Sequence, residues 1–163
     1  MNIRPATATD SAAVHKLLCA AFDQDFEANL VEALRESKDA RLEYVAIVDG
    51  HLAGHLLLSK MASPSGCLGL APVAVAPDLQ AQGIGSALIR AAIDWASRGR
   101  WNAIFLLGDP AYYGRFGFSV DACSKFDTIY PAEYMQVLSL RSGSLDELDR
   151  KIVYAEPFGR NFS

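Results

Sequence analysis

The sequence predicts an α+β protein, a central sheet flanked by helices, and three observations carry that expectation. Tyr44–Val48 and Leu52–Ser59 are extended runs joined by Asp49-Gly50, a dipeptide suited to the positive φ angles of a tight antiparallel turn. A near-continuous apolar run from Cys67 to Ala76 reads as a strand covered on both faces. Helical stripes alternate with such runs, as at Val14, Leu17, Leu18, Ala21 and Phe22, which recur at i, i+3, i+4, i+7 and i+8. The resulting order is βαα, three strands, α, β, a short α, then strands.

Taken in order, Ile3 opens a short strand, and Thr9 or Asp10 is placed to cap the first helix. His15 sits off the apolar stripe and reads as solvent-facing. The segment Phe22-Asp-Gln-Asp-Phe-Glu27 interrupts the helix, and Phe26, Leu30, Ala33 and Leu34 start a second stripe ending near Ser37. That acidic link is either a solvated turn or the lining of a site for a cationic group. His55, in the second hairpin strand, reads as a packed or surface strand residue, with a side chain aimed at a cleft as the alternative. Ser63–Gly66 is a loop. Pro72 cannot donate a ladder hydrogen bond, so a bulge or splaying is expected there, leaving backbone groups open to a ligand.

Ile84, Leu88, Ala91, Ala92 and Trp95 form the next helical stripe, ending around Arg98-Gly99. Ala103–Leu107 is a buried strand. Gly108-Asp-Pro110 breaks it and starts a short helix at Pro110. Met135–Leu140 and Lys151–Tyr154 are strand-like, and Ser142–Arg150 reads as a loop with one helical turn.

A chain of 163 residues, 51% of them apolar, fits one domain over 1–163 with a single sizeable core. Fifteen basic and nineteen acidic residues leave a net charge of -4, which gives no strong attraction to nucleic acid or anionic lipid. The longest apolar stretches fall short of the roughly 20 residues that cross a bilayer. Met1-Asn-Ile-Arg-Pro5 lacks the pattern of a secretory signal, so a cytoplasmic location is expected. Cys19, Cys67 and Cys123 lie far apart and read as buried thiols, not as zinc ligands.

The stretch from Val73 to Ile89 has the form of a phosphate cradle, a strand running through a glycine loop into a helix. A Walker loop requires Gly-Lys-Ser/Thr, whereas Gly85 is followed by Ser86-Ala87. A dinucleotide fingerprint requires a third glycine where Leu88 stands. What remains is Gln80-x-x-Gly83-x-Gly85, in which glycine lets backbone N–H groups approach a pyrophosphate. A glycine loop this short is a weak signal alone, with a plain strand-to-helix turn as the alternative.

This loop, following Val73-Ala-Val-Ala-Pro77 and preceding Tyr112-Tyr-Gly-Arg-Phe-Gly-Phe118 by about thirty residues, resembles the GNAT superfamily of acetyl-CoA-dependent N-acyltransferases, the YhbS type most of all. The resemblance implies an αβα-layered fold with a mixed, mostly antiparallel sheet. It also implies coenzyme A bound along Val73, Ala74 and Val75 and within the loop Gln80, Ala81, Gln82, Gly83, Ile84, Gly85 and Ser86, without a metal. Tyr113 matches the residue that protonates the departing thiolate, Tyr112 being its neighbour at the cofactor; packing aromatics are the plainer reading of both. Asp109 stands where many members carry asparagine, and could touch the cofactor arm, orient water or cap the short helix.

Glu27, Glu43, His55 and Asp109 all remain candidates for the general base. The implied reaction is acetyl transfer to a primary amine by direct attack, with no acyl-enzyme. Cys67 and Cys123 have no visible histidine partner. A non-catalytic acyl-CoA-binding module is the alternative. The acceptor implied is a small-molecule or peptide amine, with no nucleic acid or membrane partner, and a homodimer is compatible with it. The acidic balance disfavours aminoacyl-tRNA.

Overall fold

Six strands form one sheet in the computed structural model of the chain, which describes residues 1–162. They lie side by side in sequence order: β1 (Asn2–Pro5), β2 (Ala40–Val48), β3 (His51–Lys60), β4 (Cys67–Val75), β5 (Ala103–Leu107) and β6 (Met135–Ser139). Neighbours are antiparallel except β4 and β5, which run parallel. The sheet is therefore mixed and mostly antiparallel. The β2–β3 turn places Asp49 at φ 51° and Gly50 at φ 76°, the two positive angles that this dipeptide tolerates.

Helices cover both faces. Helices α1 (Ser11–Phe22) and α2 (Phe26–Glu36) bury Val14, Leu18, Val31 and Leu34 against Val45, Leu57 and Ala74. On the opposite face, α3 (Ile84–Ser97) buries Ile84, Leu88 and Ile89 against Leu56, Leu58, Leu68 and Leu106. The alternation of Leu56, Leu57 and Leu58 between these layers follows the period of two in a strand. Each fully buried leucine contributes about 1.5–3 kcal/mol of transfer free energy. Gly54 lets α3 sit close to the sheet, because a β-carbon there would lie 2.9 Å from both Ile84 Cγ2 and Leu88 Cδ1. A third cluster, with Met61, Phe105, Phe126, Ile152 and Tyr154, fills the region under the C-terminal segments.

Two features of β4 open a groove. Leu56 pairs with Val73 and Leu58 with Leu70, so Leu57 alone faces Ala71 and Pro72, the bulge expected at the proline. Pairing of β4 with β5 ends at Gly69 and Phe105. Beyond that point the two strands part, and among the described residues nothing pairs with the outer edge of β4.

Lys151–Tyr154 corrects the strand expected there. It makes only single bridges, Val153 with Ser63 and Lys151 with Asp127. Ile152 and Tyr154 are buried while Lys151 and Val153 are exposed, which mimics the alternation of a strand although no ladder forms. Further helical turns, α4 (Pro110–Tyr113) and α5 (Val120–Cys123), flank the groove and β6. Among the described residues, no helix is long and apolar enough to cross a membrane.

Candidate active site

Backbone direction along β4 follows from one hydrogen bond. The N–H of Ala76 donates to the Ala53 carbonyl at 2.8 Å, so Ala76 and Ala74 face β3. Alternation then turns the N–H groups of Val73 and Val75 toward the groove. Gln80 Nε2 donates to the Val75 carbonyl on that side at 3.3 Å. Ala74 directs its side chain into the core beneath α1 and α2, and so contributes backbone alone.

After β4 the chain makes one 3-10 turn at Pro77–Leu79 and enters α3 through Ala81 at φ 62° and Gly83 at φ 85°. The Gly83 carbonyl accepts the first helical bond, from Ala87 at 3.0 Å. The N–H groups of Ile84, Gly85 and Ser86 lie in the first turn and have no acceptor within the helix. They and the positive end of a 14-residue helix face a cavity of about 640 Å³. Its walls are Val73, Val75, Gln80, Ala81, Gly83, Ile84, Gly85, Ser86, Tyr112, Tyr113 and Arg115. A β-carbon at Gly85 would stand 3.1 Å from the Tyr112 hydroxyl, within the space of the cradle. Gln82 is exposed outside this lining.

Arg115 is a functional candidate that the sequence reading missed. It supplies the one cationic side chain among the described residues of that cavity, stacked 4.7 Å from the Tyr112 ring centre and donating through Nε to the Tyr112 carbonyl at 3.0 Å. Its signal was its place in the Tyr112–Phe118 segment, which reads as a motif for its aromatics and glycines. Asp109 takes the third of its expected roles: its carboxylate accepts from the Ala111 N–H at 2.9 Å and caps α4, outside both cavity linings.

A second cavity, of about 280 Å³, adjoins the first at Val73 and Tyr113, which line both. Rings of Phe22, Phe26, Tyr130, Tyr154 and Phe158 line it together with Leu30, Pro72 and Leu107, and Glu27 is the carboxylate in it. Asp23, Gln24 and Asp25 of the acidic link are exposed, as a solvated turn would be, while Phe22, Phe26 and Glu27 on either side of it face the cavity. Burial pushes the Tyr113 phenol up to about 12, with the neighbouring Tyr112 adding to the effect, so its proton is held through the neutral range. The Tyr112 and Tyr113 rings meet edge to face at 4.9 Å.

The remaining base candidates lie elsewhere. Glu43 accepts from His55 Nε2 at 2.8 Å and from Arg35 Nε at 3.0 Å, and neither Glu43 nor His55 lines a cavity with Tyr113. His55 is the packed strand residue, with no accessible surface. Its Nδ1 has no hydrogen-bond partner among the described residues.

The split between the parallel β4 and β5 thus holds a glycine-led helix at its mouth and Tyr113 on its wall. Residues 11–118 match the acetyltransferase (GNAT) family, and the chain belongs to it. It is 32% identical to the N-acetyltransferase YhbS of Escherichia coli K12, over 98% of this chain and 99% of that one. The crystal structure of YhbS in complex with CoA superposes with a TM-score of 0.91 at 31% identity, covering 99% of this chain and 93% of that one. A GNAT family acetyltransferase of Brucella melitensis, solved with acetyl-CoA, gives 0.82 at 31% identity, covering 96% and 97%.

Proposed function

We propose that the chain transfers the acetyl group of acetyl-CoA to a primary amine, with Tyr113 at the junction of a donor groove and an acceptor cavity. The observation that carries this reading is the shared wall: Val73 and Tyr113 belong to both cavities, so a thioester there meets an amine from the other side. First-turn N–H groups of α3 and the Arg115 guanidinium receive the pyrophosphate, a dianion at neutral pH. Val73 and Val75 offer their outward N–H groups to the amides of the pantetheine arm, in the manner of an added strand.

The free amine attacks the thioester carbonyl carbon after its ammonium has lost a proton to solvent. A C–N bond forms, negative charge collects on the carbonyl oxygen, and the Val73 N–H stabilises it. The C–S bond then breaks, and the Tyr113 O–H supplies the proton that the departing thiolate takes up. The nitrogen sheds its second proton to water, and solvent returns a proton to the Tyr113 oxygen. Burial holds the Cys67 and Cys123 thiols up at about 12 and about 11, so neither offers a thiolate for an acyl-enzyme.

The test is calorimetry with CoA, followed by thiol release from acetyl-CoA across an amine panel. Micromolar CoA binding with amine-dependent release supports transfer. Tight CoA binding with no amine acetylated would instead favour a binding module.

A further inference from the structure

The cavity beyond Val73 and Tyr113 is lined by aromatic and aliphatic side chains and one carboxylate. Phe22 and Phe26 bracket the turn between α1 and α2, and Tyr130, Tyr154 and Phe158 close it from the C-terminal segments. The last three interlock, with ring centres 5.6 Å apart for Tyr130–Tyr154 and 4.8 Å for Tyr154–Phe158. Glu27 is the one acidic side chain, and no basic one accompanies it, among the described residues that line it. It sits in the first turn of α2, and Gln24 Nε2 donates to its two oxygens at 2.9 and 3.2 Å.

That combination selects its occupant. Aromatic faces and a carboxylate both attract a cation. A wall of rings rejects a polar body, which would lose its water without gaining partners. A carboxylate on the ligand would meet Glu27 and find no cation among the described lining residues. A second ammonium would likewise find no second acid. A volume of about 280 Å³ sits just below the usual range of small-molecule pockets, so it admits a small molecule and excludes a folded partner.

We propose that this cavity binds the acceptor, and that the acceptor is a small monoamine carried on an apolar, ring-sized body, its ammonium drawn to Glu27. The assignment rests on the acetyl transfer reading above. Glu27 acts as a substrate-binding residue, holding the amine end toward the junction at Tyr113.

The full chain is assayed for thiol release from acetyl-CoA with 2-phenylethylamine, putrescine and phenylalanine. The expected order places kcat/KM for 2-phenylethylamine about tenfold or more above each of the others. Glu27→Gln raises KM for 2-phenylethylamine about tenfold, while CoA affinity and inhibition by the uncharged 2-phenylethanol stay unchanged. A preference for putrescine or phenylalanine, or an unmoved KM in Glu27→Gln, overturns the acceptor assignment. So does hexanoyl-CoA binding about tenfold more tightly than acetyl-CoA, since the cavity would then hold the acyl chain. Absence of CoA binding overturns the transfer reading and this assignment together, whereas CoA binding with transfer only to the polar amines overturns this one alone.

Discussion

The Tyr113 ring rests directly on the backbone of Gly108, so closely that a β-carbon there would lie 2.6 Å from Cε2. Gly108 is itself pinned from both sides. Its N–H donates to the Tyr134 carbonyl at 3.0 Å, and its carbonyl accepts from the buried Gln136 Nε2 at 3.0 Å. The backbone has no room to yield, so Gly108→Ala displaces the tyrosine. The expected result is a loss of turnover of about tenfold to a hundredfold, because a reacting group is moved by an ångström or less. CoA affinity by calorimetry should change little, since the cradle at α3 is untouched.

Tyr113→Phe removes the proton and keeps the ring. General acid catalysis is worth about 10²–10⁴ in rate, and a loss of about a hundredfold in kcat is expected with near-normal CoA binding. The pH profile carries a second prediction. A phenol raised to about 12 stays protonated across the alkaline range, so the wild-type rate should rise as the amine loses its proton, with no decline up to about pH 10. A decline centred near the ordinary tyrosine value of 10 would contradict the raised phenol, and the same decline persisting in Tyr113→Phe would remove Tyr113 from the acid role.

Gly85→Glu tests the cradle. The new side chain enters the cavity beside Val75 and the Tyr112 hydroxyl, and brings a negative charge to the positive end of α3. CoA affinity should fall by about tenfold or more at low salt, with less loss at high salt as the charge is screened. The far-ultraviolet dichroism should stay unchanged, since Gly85 lies in the first turn of the helix.

What could be read from the sequence were features contiguous in the chain. The glycine loop, the Asp49-Gly50 hairpin and the Pro72 bulge each follow from local backbone chemistry. The acceptor cavity is different, because its rings come from α1, α2 and two irregular C-terminal segments with no shared period. Tyr154 shows the difficulty: its alternation with Ile152 imitates a strand, while its actual partners are Tyr130 and Phe158. Gly108 read as a strand breaker, and only the ring packed on it reveals a second use. Glu43 and His55 looked like base candidates since sequence says nothing of Arg35, which lies eight residues away from Glu43 and across the helix–sheet interface.

The Arg35–Glu43–His55 cluster predicts acid behaviour. Burial alone would raise the Glu43 carboxyl, but hydrogen bonds from His55 and Arg35, with their charges, overcome it and hold the group down at about 2. A carboxylate depressed in the folded state contributes its stability above its ordinary value of 4.5, and loses it as pH falls from there toward 2. Glu43→Gln should therefore cost about 1–3 kcal/mol at pH 7, since Arg35 and His55 lose a buried charged partner. The same substitution should cost much less near pH 2, where the wild-type carboxyl is half protonated. Asp10 is also held low, by Arg4 and then by the Thr7 N–H, so a residual acid slope persists in the variant. Urea unfolding of both proteins at pH 7, 4 and 2.5 checks this, and equal differences at all three values would contradict the assignment.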